Sequence, residues 1–120
     1  MAEVVKTYYY SGELKDEVFV INNKKNGLYK SYHKNGKINE LCNYVDDKIN
    51  GNHITYDEDG NLQRTSTYKD NILDGKYIIY YSKYNEERNI RDVFTYKDGK
   101  RLNHEFRFDI GKDDLQIRYQ

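Results

Sequence analysis

The chain has 120 residues, with 20 Lys plus Arg against 20 Asp plus Glu and an apolar share of 37%. Zero net charge argues against a general nucleic-acid binder, because neutralising phosphates needs a basic excess. A chain that is 33% charged cannot fill a thick core, which favours a thin or stacked architecture over a compact globule.

The opening residues, Met1-Ala2-Glu3-Val4-Val5-Lys6, lack the apolar run of a signal peptide, and no stretch approaches membrane-spanning length. Cytoplasmic residence is the expectation, and no membrane is expected as a partner. A first strand is expected over about residues 4–10. Turn signals then recur along the chain. One kind is Lys34-Asn35-Gly36-Lys37, echoed by Glu58-Asp59-Gly60-Asn61. The other is Val45-Asp46-Asp47-Lys48, echoed by Lys69-Asp70-Asn71-Ile72 and Lys97-Asp98-Gly99-Lys100. Both place Gly, Asn or Asp third, where a left-handed backbone is tolerated. That is the chemistry of a three-residue hairpin loop, a type I turn closed by a bulge. About four extra residues within 85–89 interrupt the third unit, and Leu115-Gln116-Ile117-Arg118-Tyr119 reads as a closing strand. About ten strands are expected, and no stretch sustains a helical period. With 14 Tyr and no Pro, the chain suits long ladders whose surfaces are half buried.

The elements repeat. Gly27, Gly51 and Gly75 fall 24 residues apart, as do Tyr8, Tyr32, Tyr56 and Tyr80. Leu14, Ile38 and Leu62 keep the step, as do Val20, Tyr44 and Tyr68. After the insertion, Ile90 and Tyr96 resume the pattern and Phe108 takes the Tyr80 position. The expected units are about 3–26, 27–50, 51–74 and 75–102, with a closing segment 103–120, all within one domain. The fold class is all-β: a single-layer, twisted antiparallel β-meander of stacked hairpins.

Parity then assigns faces, because a one-residue slip inverts every side chain. Three-residue loops put Tyr32, Ile38, Cys42, Tyr44, Ile54, Tyr56, Leu62, Tyr68, Ile78, Tyr80, Phe94 and Tyr96 on one apolar face. Lys30, Glu40 and Arg64 intrude on it. The opposite, mostly polar face carries Tyr29, Ser31, Leu41, His53, Thr55, Thr65 and Tyr77. Gly51 and Gly75 fall within strands, which marks bends or close backbone approach.

The run Gly27-Leu28-Tyr29-Lys30-Ser31-Tyr32-His33-Lys34-Asn35-Gly36-Lys37-Ile38, followed by Tyr44 and a new Gly51, resembles the MORN-repeat variant found in YwqK-type antitoxin proteins. The resemblance runs from about Tyr8 to Phe108. It implies stacked β-hairpins and a role in holding partners, and it implies no catalytic residues. Standard MORN repeats carry extra Gly-x-Gly steps that this chain lacks, so their phosphoinositide and membrane roles are not carried over.

Individual chemistry-bearing residues read as structural. His33, His53 and His104 lack the convergent spacing of metal ligands. Cys42 aligns with Val18, Ser66 and Phe94, as a buried inert thiol would. The runs Asp46-Asp47, Asp57-Glu58-Asp59 and Asp113-Asp114 sit at turns, without a calcium-loop pattern. No cofactor, metal site or catalytic set is expected. The columns of rings serve cross-strand packing first. If one face meets a protein partner, Tyr29, His53 and Tyr77 are the expected contacts, in equivalent places on the less apolar face.

Three functions compete. The first is a non-enzymatic protein–protein interaction module, with an antitoxin or immunity-type inhibitor or a scaffold among its forms. The second is a self-assembling structural repeat protein, a homo-oligomer joined through sheet edges or the apolar face. The third, and least favoured, is a ligand or nucleic-acid binder that uses stacked rings.

Overall fold

The computed structural model describes the backbone of residues 2–81, 88–110 and 113–119, and the side chains of 2–81 and 90–107. The insertion at 85–89 and the Phe108 ring lie outside the described side chains. The described residues form strands without helix: β1 (Ala2–Tyr8), β2 (Leu14–Ile21), β3 (Lys24–Tyr32), β4 (Ile38–Val45), β5 (Lys48–Ile49), β6 (Gly51–Tyr56), β7 (Leu62–Lys69), β8 (Ile72–Tyr80), β9 (Arg88–Lys97), β10 (Lys100–Ile110) and β11 (Asp113–Tyr119). They join in one open meander, β1-β2-β3-β4-β6-β7-β8-β9-β10-β11, with β5 pairing β4 just before β6 does. Every pairing is antiparallel with its chain neighbour. The molecule is a slab of 50 × 34 × 21 Å.

Two turn chemistries alternate along it. At one end of the sheet, Gly36 N–H donates to His33 O at 2.9 Å and His33 N–H donates to Lys37 O at 2.8 Å. This is the expected three-residue loop, and Gly36 at φ 90° supplies its left-handed third position. Tyr9–Glu13 and Asp57–Asn61 close the same way. At the other end the loops have two residues, not three. Asp46 and Asp47 both have positive φ, 47° and 67°, and Val45 pairs directly with Lys48. Asp70-Asn71 and Asp98-Gly99 repeat this, as does Asn22-Asn23, a fourth copy. Two consecutive left-handed residues make a type I′ turn, whose twist matches the flanking strands and which favours Asn, Asp and Gly.

The expected division of faces is corrected by a bulge in each of the first three units. Tyr32 pairs with Ile38, but Ser31 pairs with Glu40, so Asn39 has no partner across the ladder. Lys15 and Gln63 are left over in the same way, each 24 residues from Asn39. One extra residue inverts the rest of the strand. Cys42, Tyr44 and Tyr68 therefore lie on the same face as Tyr29, His53 and Tyr77, away from Tyr32, and Phe94 and Tyr96 join them through the unbroken β8–β9 ladder, where they pair with Tyr77 and Gly75. Leu41 and Thr65 cross the other way, onto the face of Tyr32, Ile54 and Ile78. Glu40 and Arg64 are thus not intruders on an aliphatic face. They stand beside His53 and Tyr77. The first face is called the ring face below, and the second the bare face.

Side chains staple unit to unit at both ends. Asn26 and Asp46 exchange two hydrogen bonds, at 3.1 and 3.0 Å. Asn50 and Asp70 repeat the exchange at 2.9 and 3.0 Å. The Asp46-Asp47 run thus serves the turn ladder, since Asp47 also accepts from Lys25 N–H at 2.7 Å. At the opposite end Tyr9 Oη–H donates to Tyr32 O at 2.6 Å, and His33 Nε2–H donates to Tyr56 O at 2.9 Å. Each carbonyl would otherwise be left short of a donor beside a loop.

Candidate interaction surface

The ring face is built on an alternation of tall and short side chains. Across neighbouring strands its central row runs Val18, Tyr29, Cys42, then His53, Ser66, Tyr77, Phe94 and His104. The short members Val18, Cys42 and Ser66 are buried, at 7%, 4% and 2% exposure. Only neighbouring rings can shield them, because a single sheet has no second layer. Tyr44 closes edge-on over Tyr29 with centroids 5.9 Å apart, Tyr68 over His53 at 6.2 Å, and Tyr96 against Tyr77 at 6.2 Å. These are edge-to-face arrangements that ring quadrupoles favour. Phe94 occupies a short-residue position with a large ring, and it stacks flat on His104 at 4.2 Å.

A polar partner on an adjacent strand holds each tall ring. His53 donates Nε2–H to Glu40 at 2.9 Å, and Arg64 donates to Tyr77 Oη at 3.1 Å. Tyr29 Oη–H reaches Asp16 at a longer 3.3 Å. His104 donates Nε2–H to Asp92 at 2.7 Å, and Tyr81 Oη–H binds the other oxygen of Asp92 at 2.8 Å. The first three pairs share one spacing: Asp16 to Tyr29, Glu40 to His53 and Arg64 to Tyr77 are each 13 residues apart.

The electrostatics follow from this packing. The N–H of His53 holds the Glu40 carboxyl below the usual carboxylate range, against the opposing effect of burial. Burial raises the Tyr29 hydroxyl well above an ordinary phenol, with the Glu40 and Asp16 charges adding to it. Burial also pushes the Cys42 thiol up to about 11, so at neutral pH it is a packed thiol rather than a nucleophile.

The sequence-predicted contacts Tyr29, His53 and Tyr77 therefore come together in one half-buried row. They do not stand on a polar face, since Tyr44, Tyr68, Phe94 and Tyr96 surround them. Sequence reasoning passed over Glu40, Asp92 and Arg64 as partners of this row. The step of 24 linking Asp16, Glu40 and Arg64 was the available signal. Among the described residues no three His, Cys, Asp or Glu side chains are placed to hold a metal ion. The hollow over Val4, Phe19 and Leu28 measures about 160 Å³, small beside the several hundred Å³ of a usual ligand pocket.

The bare face is different. Val4, Tyr8, Phe19, Ile21, Leu28, Ile38, Val45, Leu62 and Ile72 project from it, each between 36% and 59% exposed. Val93, at 3% exposure beside Glu105 at 7%, is where that face closes.

A single antiparallel layer of stapled 24-residue hairpins is a tandem-repeat scaffold, a class that meets its partners through extended surfaces rather than pockets. Residues 25–46 and 49–70 each match the family model of the MORN repeat variant, so these two units are MORN-variant repeats. The two matches start 24 residues apart, each two residues before Gly27 or Gly51. Repeats of this kind are in general protein- or membrane-interaction modules. No curated protein matches the chain in sequence. Among the described residues no helix is long and apolar enough to cross a membrane.

Proposed function

We propose that the protein is a non-enzymatic protein–protein interaction module that offers the ring face, around Tyr29, His53 and Tyr77, to a protein partner. The observation that carries this reading is the row of half-buried rings, each held in place by Asp16, Glu40 or Arg64. Rings ordered before binding lose little conformational freedom on contact, which raises affinity for a given area. Aromatic and Arg side chains also dominate the centres of protein interfaces. An antitoxin or immunity-type inhibitor that occludes another protein would use such a surface, and so would a scaffold.

The test starts with the tagged protein and lysate of the source organism, with bound proteins identified by mass spectrometry. The partner is then purified, and binding is measured with Tyr29→Ala and Tyr77→Ala variants. The expected outcome is a stoichiometric complex whose dissociation constant rises at least tenfold or so in each variant. A partner whose affinity ignores both substitutions removes the ring face from the reading. Recovery of no stoichiometric partner removes the reading itself.

A further inference from the structure

We propose that the bare face packs against the bare face of a second copy of this chain, giving a two-layer β-sandwich with both ring faces outward. The inference does not rest on the ring-face reading, because it concerns the opposite side of the sheet.

Three observations favour this occupant. The first is area. The chain exposes 8374 Å², where a compact monomer of its 14.4 kDa mass would expose about 6,800 Å². The surplus of roughly 1,500 Å² exceeds the ~800 Å² per partner that a standard interface buries. Nine of the exposed large apolar side chains, Val4 to Ile72, stand on the bare face among the described residues, beside charged Glu17 and Lys30, and domains ordinarily bury such apolar side chains against a second layer.

The second is shape. On the bare face, Tyr32, Tyr56 and Tyr80 on β3, β6 and β8 alternate with Ile38 and Leu62 on β4 and β7. The Tyr ridges therefore recur every second strand, about 9.6 Å apart at normal strand spacing. A partner must match that period for its ridges to enter the valleys between them. A second copy has the same period by construction, and two sheets stacked in near alignment keep it in register over several strands.

The third is charge. Copies of a chain carrying excess charge repel each other. With 20 basic and 20 acidic residues, this chain has no net charge to oppose pairing with itself.

Sedimentation of the full chain, followed up to about 100 µM, tests the proposal. The expected mass rises toward twice 14.4 kDa. The double variant Leu28→Lys/Leu62→Lys, at side chains 41% and 37% exposed, is expected to raise the dimer dissociation constant by about 100-fold or more. Its far-UV circular dichroism should stay that of the parent. Hydrogen exchange of the parent at low and high concentration supplies a second measurement. Pairing through the bare face leaves the outward amides of the edge strand β1 in fast exchange, whereas edge-to-edge pairing protects them. A monomer at every concentration overturns the proposal. So does a dimer that survives in the folded double variant, or one that protects the edge of β1. A double variant that fails to fold leaves the parent's mass and exchange to decide. Partner binding through the ring face survives any of these results, so the two readings fail separately.

Discussion

The two faces of one sheet solve the same problem differently. On the ring face, tall side chains alternate with short ones, so Tyr29, His53 and Tyr77 fold over Cys42 and Ser66 and make a thin core without a second layer. On the bare face the corresponding central row runs Leu41, Ile54, Thr65 and Ile78. These side chains are half-buried, the row reaches full burial only at Val93, and large neighbours such as Leu28, Ile38 and Leu62 stay more than a third exposed. A single layer can therefore bury apolar surface on its own where tall rings alternate with short residues, and leaves more of it exposed where they do not. Polar anchoring is common to both faces. Glu40 and Arg64 hold rings on one side, and on the other Tyr32 Oη–H donates to Glu17 at 2.8 Å.

Substitutions can break this comparison. The largest effect should come from Gly75→Val, because Gly75 has φ +125° and an added Cβ would meet the Thr67 Cβ at 3.0 Å. Strain and clash together should cost about 3 kcal/mol in urea unfolding. Gly51→Ala, at φ +92° with open space around it, should cost only about 1 kcal/mol. Equal losses would mean that close approach to Thr67 is not what distinguishes Gly75.

A matched pair of truncations compares the faces directly. Tyr77→Ala uncovers Ser66 and Phe94 and should destabilise the monomer by about 2 kcal/mol, roughly half the cost of deleting a fully buried ring. Leu62→Ala, on the bare face, should cost less than about 0.5 kcal/mol in the dilute monomer. Similar costs in the two variants would erase the distinction between a roofed and an unroofed face.

The smallest effect is electrostatic and sharpens the account of the ring row. Glu40 has a folded-state pKa below its ordinary value, chiefly through the bond from His53. Its stabilisation is therefore fully present above the unfolded carboxylate pKa, near 4.3, and is lost as pH falls through the lower folded value. About 1 kcal/mol should disappear across that window. Glu40→Gln should flatten that part of the urea midpoint–pH curve. A variant that titrates as steeply as the parent would show that the His53–Glu40 bond is not a stabilising anchor.

Much of this architecture was legible in the amino-acid sequence. The 24-residue step of Gly27, Gly51 and Gly75 and of the Tyr columns specified the repeat, its hairpins and the meander, because turn residues and alternation are local signals. Gly36 marked its three-residue loop for the same reason. Asp46-Asp47 marked a turn, but the three-residue loop expected there is a two-residue one, since both kinds admit left-handed Asp. The division of faces was decided only by tertiary structure. The leftover residues Lys15, Asn39 and Gln63 are ordinary polar residues of the kind found throughout the chain, since this kind of bulge needs no glycine and leaves no mark in composition. Side chains alternate with every residue, so one unpaired position in each of the first three units is enough to turn Cys42, Tyr44 and Tyr68 over. Only the pairing of distant strands shows where that position falls.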